Sequence, residues 1–103
     1  MVVATLLIGV CERYTVRTQR EADLGRSDII MFPKAEGDVG MVFELKTVGS
    51  EDEMDAGVEE AMDQIHKKGY HKEMPGKDVV IMGICFWSKL AKARTEIVEV
   101  PVE

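Results

Sequence analysis

The sequence feature that most constrains the fold is an unbroken apolar run at residues 79–86, Val-Val-Ile-Met-Gly-Ile-Cys-Phe. A strand that is apolar on both faces is typical of a central strand covered on each side by other elements. Such a strand pairs in parallel with an earlier strand when a helical crossover connects the two. The run therefore predicts an α/β fold with at least one parallel pair in its sheet.

Three earlier segments and one later segment have the pattern of strands. Alternation and β-branched residues predict strands at residues 14–20, 27–32 and 38–46, with the second ending at Pro33. Gly37 marks a hairpin between the second and third strands, so we expect these three strands to form an antiparallel meander. A last edge strand is predicted at residues 95–100.

Two segments are predicted to be helical. Residues 1–11 are apolar, too short to span a bilayer and without a basic leader, which indicates a buried helix ending near Glu12 and Arg13. The second helix begins at Ser50-Glu-Asp-Glu53, a capping box in which each side chain accepts from the other residue's backbone amide. Gly69 predicts its end. Its apolar residues recur at the spacing of one helical face: Met54, Val58, Ala61, Met62 and Ile65.

The order of elements is helix, three strands, helix, strand and a last strand. It predicts a small mixed sheet flanked by helices, in a single domain that spans all 103 residues. Cys11 and Cys85 each lie in an apolar run, which favours buried thiols in a reducing compartment. We therefore expect a cytoplasmic protein with no membrane association.

The charge distribution limits the possible partners. Thirteen Lys and Arg against nineteen Asp and Glu give a net charge of -6, which argues against a polyanion binder held by bulk charge. Acidic residues without any base fill the stretch 51–63, at the start of the second helix, where the helix dipole favours them. Lys67, Lys68, Lys72 and Lys77 form a basic cluster, for which a solvated helix end is a simpler interpretation than a nucleic-acid contact.

Three charged residues lie where the strand pattern favours apolar ones. Glu44 and Lys46 are two residues apart and project from one face of the third strand, and Asp28 lies on the neighbouring strand. Carboxylates that converge across strands suit Mg²⁺ or Mn²⁺, completed by waters and a phosphate. Lys46 would orient or deprotonate the attacking water, or neutralise charge on the phosphate. On spacing alone, an exposed strand with a salt-bridged Glu-x-Lys pair is the simpler interpretation.

Several segments together resemble the PD-(D/E)XK nuclease superfamily. The most specific are Glu21-x-x-x-Gly25-Arg26-x-Asp28 and, after it, Glu44-Leu-Lys46. The pattern continues through Glu60-Ala-Met-Asp-Gln64-Ile, Tyr70 and Gly83-Ile-Cys-Phe86, and it covers the chain from about residue 6 to residue 89. It is similar to the branch usually found as a C-terminal domain behind an AAA-ATPase-like domain in bacterial proteins.

The resemblance implies a restriction-endonuclease-like fold and hydrolysis of phosphodiester bonds in DNA or RNA, with DNA as the first expectation. It implies that Asp28 and Glu44 bind Mg²⁺ or Mn²⁺ and that Lys46 is the catalytic lysine. Gln64 matches the family's glutamine on the helix near the site, and Glu21 matches the acid ahead of the Gly-Arg pair. An AAA-ATPase-like domain in a longer chain is the implied partner.

Other interpretations stay open. The first ten residues contain no Glu or His, although related nucleases often supply one from the first helix. Either the chain is a fragment that begins late or it lacks this contribution, and an inactive accessory or oligomerisation module with the same fold would fit the second case. A homodimer in which a second copy completes the first helix is a further hypothesis. Without a partner at metal-ligand spacing, His66 and His71 are expected at the surface, and zinc is not expected. Arg26 is a candidate phosphate contact or a solvated partner of nearby acids.

Overall fold

A five-stranded mixed sheet with a helix on one face forms the part of the chain that the computed structural model describes, residues 12–20 and 26–102. The strands lie in sequence order, and β3 and β4 are the parallel pair, with antiparallel pairing elsewhere. The predicted meander, the parallel pair and the α/β class are therefore confirmed. The strands are β1 (Tyr14–Arg20), β2 (Arg26–Pro33), β3 (Gly40–Thr47), β4 (Asp78–Trp87) and β5 (Leu90–Glu99).

The last strand is the element whose predicted bounds differ most from the structure. β5 begins at Leu90, five residues earlier than the predicted start, and pairs with β4 along its whole length. Ser88, with φ of 54°, lies in the tight turn between the two strands. The added segment, Leu-Ala-Lys-Ala-Arg, has little strand character of its own, so the backbone pairing with β4 determines its conformation.

The crossover between β3 and β4 contains the helix α1 (Met54–Lys68), which lies between two short 3₁₀ helices, Glu51–Glu53 and Tyr70–Glu73.

The predicted capping box is wrong. The Glu53 amide donates to the backbone carbonyl of Ser50 at 3.2 Å, and the Ser50 hydroxyl donates to the Glu53 carboxylate at 3.1 Å. A 3₁₀ turn at this point brings the two side chains together and removes the reciprocal pattern. Gly69 ends α1 as predicted, in the left-handed conformation with φ of 67°.

The apolar face of α1 packs on the sheet and forms the core. Ile65 and Met62 of the helix contact buried residues of the three central strands, with Ile30, Val42 and Ile81 in one cluster. The helix approaches β4 closely, since a Cβ placed at Gly83 would lie 3.0 Å from the Met62 backbone nitrogen. All five apolar positions predicted for this helix face are buried.

Only one face of the sheet is covered by a helix within the described residues. Along β4, alternate residues face α1 and are buried, including the free thiol of Cys85, whereas the other face is half-buried at Val80, Met82 and Ile84. The expected cover on both sides is therefore not seen in this part of the chain. Glu12 and Arg13 are helical, but the predicted first helix and Cys11 lie outside the described residues. No described helix is long and apolar enough to cross a membrane.

Candidate active site

The register of the sheet brings the predicted site residues together. Asp28 of β2 lies directly opposite Glu44 of β3, and Arg26 lies opposite Lys46 two residues further along the strands. Residues two apart on a strand share a face, so Glu44 and Lys46 project towards α1 together with the buried Val42. Asp28 and Glu44 are 0% and 1% exposed. Two carboxylates therefore lie side by side in the interior, as the sequence pattern indicated.

The ammonium of Lys68 lies between these two carboxylates. Its Nζ contacts Asp28 at 3.0 and 3.2 Å and Glu44 at 3.2 and 3.5 Å, so it faces all four carboxylate oxygens. The expectation that Lys68 is part of a solvated helix end is therefore wrong. Lys68 follows Gln64 by four residues, and this spacing on one face of α1 was the sequence signal that could have identified it.

Lys46 has a different partner from the two carboxylates. Its ammonium donates to one oxygen of Glu60 on α1, and the Arg26 guanidinium contacts the other oxygen of the same carboxylate. Burial lowers the pKa of Lys46, and the positive charge of Arg26 lowers it further. The Glu60 carboxylate acts in the opposite direction because it favours the charged amine. The sequence left two interpretations of Arg26, a phosphate contact or a partner of nearby acids. In the structure its guanidinium pairs with the Glu60 carboxylate.

One face of α1 carries the residues that meet the polar part of the sheet. Glu60, Gln64 and Lys68 follow one another at intervals of four residues, so they form a stripe along the helix. Gln64 is half-buried, and its side chain makes no hydrogen bond to another described residue. Gln64 therefore lies on this stripe between two ion-pair clusters. In one, Glu60 pairs with Lys46 and Arg26, and in the other, Lys68 pairs with Asp28 and Glu44. Glu21, the remaining predicted catalytic residue, lies outside the described residues.

An aromatic and cationic group flanks the carboxylates on the β1 side. Gln19 lies opposite Asp28 in the sheet and accepts a hydrogen bond from the Tyr70 hydroxyl. The Arg17 guanidinium lies 5.1 Å from the Phe32 ring centre and 5.6 Å from that of Tyr70. A small pocket of about 290 Å³ is lined by Thr18, Gln19, Arg20, Ser27, Asp28 and Ile29. Thr18, Arg20, Ser27 and Ile29 alternate with Gln19 and Asp28 along the two strands, so this pocket lies mostly on the sheet face opposite the carboxylates.

The prediction of two surface histidines is wrong for His71. Its side chain is buried, with the residue 6% exposed, and its Nδ1 has no hydrogen-bond partner among the described residues. Burial lowers the pKa of His71, and the positive charge of the neighbouring groups lowers it further. His66 is exposed and its Nε2 lies 3.2 Å from Glu96. Neither histidine belongs to the carboxylate site.

The donor set at Asp28 and Glu44 fits a hard divalent cation. Mg²⁺ usually binds through one or two protein carboxylates and completes its shell with waters and phosphate oxygens. The same four oxygens already converge on one positive group, the Lys68 ammonium. No group of three or more His, Cys, Asp or Glu suited to a metal is present among the described residues, so a site with several further protein ligands is not formed by them.

The comparison with protein families agrees with this geometry. A family model described as the PD-(D/E)XK nuclease superfamily matches residues 1–96. The chain belongs to this superfamily. The restriction-endonuclease-like fold expected from the sequence is compatible with its five-stranded sheet and crossover helix. Comparison with curated proteins and with solved structures gives no match. The AAA-ATPase-like branch is a finer assignment than the superfamily match, and it stays a prediction.

Proposed function

We propose that this PD-(D/E)XK domain is a metal-dependent nuclease that hydrolyses phosphodiester bonds in DNA, with RNA as the other candidate substrate. Asp28 and Glu44 bind Mg²⁺ or Mn²⁺, and Lys46 serves the attacking water. The observation that carries the proposal is the pair of buried carboxylates in cross-strand register. Membership of a nuclease superfamily supports the reaction class.

The burial of this pair is difficult to explain by stability alone. Removing a carboxylate from water costs several kcal/mol even after the protein relaxes, and two adjacent carboxylates also repel each other. Asp28 and Glu44 carry both costs, and apolar residues fill equivalent positions on the same face at Ile30 and Val42. A requirement to hold a cation gives the pair a reason to be there.

Each side chain has a defined part in the proposed reaction. Asp28 and Glu44 hold the cation, which when bound lowers the pKa of a coordinated water and stabilises charge on the phosphate. Lys46 lies on the same face as Glu44, and burial lowers its pKa, so its amine gives up a proton more readily than an exposed lysine. A neutral Lys46 would accept a proton from the water, and a charged one would stabilise the phosphate.

Two further residues are proposed for the site. Gln64 is in position to orient the water or the phosphate, because its amide lies on the helix stripe between the two ion-pair clusters. Glu21 is proposed on the motif match alone. Arg26 is 20% exposed in its side chain and would contact the substrate backbone once Glu60 releases it.

The test is cleavage of DNA and RNA in the presence of Mn²⁺ and Mg²⁺. Lys46→Ala is expected to lose metal-dependent cleavage by about 10²-fold or more, the size expected for a positioned acid–base group, with an unchanged circular dichroism spectrum. The matched control is Lys67→Ala, which removes an exposed lysine from α1 and should leave cleavage unchanged. Full cleavage by Lys46→Ala would reject the proposed role.

A second candidate function is an inactive accessory module. The observation that favours it is the set of ion pairs, since Lys68 pairs with both Asp28 and Glu44, and Glu60 pairs with Lys46. Titration calorimetry with Mg²⁺ and Mn²⁺ separates the two candidates. Binding at millimolar metal favours the nuclease, whereas its absence leaves the accessory module.

The partners and location are also proposals. We infer that the domain acts in the cytoplasm, where the buried thiol of Cys85 would stay reduced, and that it joins an AAA-ATPase-like domain in a longer chain. A homodimer completed through the first helix is a further proposal. Sedimentation of the 103-residue chain tests it, because a monomer would contradict it.

A further inference from the structure

The position of Lys68 has a consequence for metal binding. We propose that Lys68 is a positioning residue that holds the site ready for a divalent cation and competes with that cation for Asp28 and Glu44. The inference rests on the proposed function only in assigning these two carboxylates as the metal ligands. It adds a residue that neither the motif nor the superfamily match assigns.

The contacts of Lys68 show why the ammonium and a metal ion exclude each other. Its Nζ lies 3.0 Å from Asp28 and 3.2 Å from Glu44 at the closest oxygens. A bound Mg²⁺ would require carboxylate oxygens at about 2.0 to 2.1 Å. A dication and an ammonium placed between the same two carboxylates would repel each other at short range in a buried site, where solvent screens poorly. One of them must therefore leave.

The charge balance favours the same exchange. Among the described residues, the two carboxylates and the one ammonium carry a net charge of about -1, and replacing the ammonium with a divalent ion makes this group of three neutral. Retaining both cations would make it positive. A dication therefore balances the charge of the two carboxylates more completely than the ammonium does, which is an electrostatic reason for the exchange.

The place of Lys68 in the fold allows the ammonium to leave without disrupting a buried element. Lys68 is the last residue of α1, and the amide of the next residue, Gly69, donates to the carbonyl of Ile65 at 3.0 Å whatever the lysine side chain does. The Lys68 side chain is 18% exposed, so a path to solvent exists. Its four-carbon stem is flexible enough to use that path.

The structural role and the competing role of Lys68 predict opposite changes in metal affinity when the charge of this lysine is removed. If Lys68 only stabilises the fold, removing its charge would leave the affinity unchanged or weaken it through local disorder. If Lys68 competes, removing its charge would strengthen metal binding because the ion no longer displaces an ammonium. Metal affinity thus distinguishes the two roles without any measurement of cleavage.

The experiment is calorimetric titration of Mn²⁺ into wild type, Lys68→Met, Lys68→Arg and Lys67→Met. We expect Lys68→Met to bind Mn²⁺ at least tenfold more tightly than wild type and to show a larger Mn²⁺-dependent rise in Tm. Lys68→Arg keeps the charge and should bind within about threefold of wild type. Lys67→Met removes an exposed charge one residue away and should bind within about twofold.

The outcomes separate this inference from the proposed function. If wild type binds Mn²⁺ and Lys68→Met binds no more tightly, the competition is rejected and the proposed metal site survives. If only Lys68→Met binds, the competition is supported and the accessory function gains support. If neither folded protein binds, both proposals fail. Should Lys68→Met unfold without metal, refolding on addition of Mn²⁺ supports the competition, and failure to refold overturns it.

Discussion

Replacing Asp28 with Asn tests whether the carboxylate pair is kept at a cost in stability. In the metal-free protein, the site contains the Asp28 and Glu44 carboxylates and the Lys68 ammonium. Asp28→Asn removes one negative charge and leaves Lys68 paired with Glu44. The Asn side-chain oxygen has the same position as a carboxylate oxygen, so it still accepts a hydrogen bond from Lys68.

The magnitude follows from the contacts. At 3.0 Å, the attraction between Lys68 and Asp28 is about 5 kcal/mol at an effective dielectric constant of about 20. Against this loss, Asn keeps a charge-assisted hydrogen bond of about 2 kcal/mol. Directly opposite residues of an antiparallel pair lie roughly 5 Å apart, so the substitution also removes a repulsion of about 3 kcal/mol between the two carboxylates. It also removes a carboxylate desolvation cost of at least about 2 kcal/mol. We therefore expect Asp28→Asn to be as stable as wild type or more stable by about 1 to 2 kcal/mol.

Lys68→Met gives the contrasting result because it leaves two buried carboxylates without their cation. Its free energy of unfolding should fall by about 3 to 5 kcal/mol in the absence of metal. Urea denaturation followed by circular dichroism, with EDTA present, measures both variants. The matched control is Asp63→Asn, an exposed acid on α1, which should change stability by less than about 0.5 kcal/mol. A loss of more than about 2 kcal/mol in Asp28→Asn would refute this electrostatic account.

Three further predictions concern other parts of the fold. Gly83→Ala should lower the free energy of unfolding by about 1 to 3 kcal/mol in a urea titration, because the new Cβ would lie 3.0 Å from the Met62 backbone nitrogen. Burial lowers the pKa of His71 below 6.5, so the unfolded chain binds the proton more readily and wild-type stability should fall as the pH drops below about 6.5. His71→Asn should show a smaller fall over that range, and an identical pH profile would contradict the assignment. Glu60→Gln should lower the pKa of Lys46 further, because the amine loses its ion-pair partner; a nitrogen-detected NMR titration of the Lys46 amine would show no change if this reasoning is wrong.

The sequence was sufficient for the sheet and for the carboxylate pair, because both depend on local patterns. The apolar run at residues 79–86 and the helical spacing before Gly69 determine a crossover, and the crossover makes β3 and β4 parallel. Side chains alternate between the two faces of a strand, so Glu44 and Lys46 lie on the same face of β3. The hairpin at Gly37 then brings Asp28 beside Glu44.

The features that the sequence analysis missed depend on how elements pack. Lys68 reaches the carboxylates because α1 lies close to the sheet, and Gly57 and Gly83 are the two positions where a Cβ would collide across that interface. The four-residue spacing from Gln64 indicates the face of α1 that carries Lys68, but it does not give the distance between α1 and the sheet. His71 is buried for a similar reason, since the short 3₁₀ helix after Gly69 (Tyr70–Glu73) packs against β3. The capping box failed because the backbone formed a 3₁₀ turn at Ser50.

The charges on α1 also specify where the helix lies along the sheet. Glu60 faces the cations of β2 and β3, and Lys68, two turns later, faces their carboxylates. A slip of one turn would move Glu60 towards the buried carboxylates and withdraw Lys68 from them, and both changes are unfavourable in a poorly screened interior. Because Gln64 lies between the two clusters and has no charge, it is compatible with either neighbour and stays available to a ligand. The ion pairs on either side of Gln64 therefore include Asp28 and Glu44, which are proposed to bind the metal. They also include Lys46, which is proposed to serve the water.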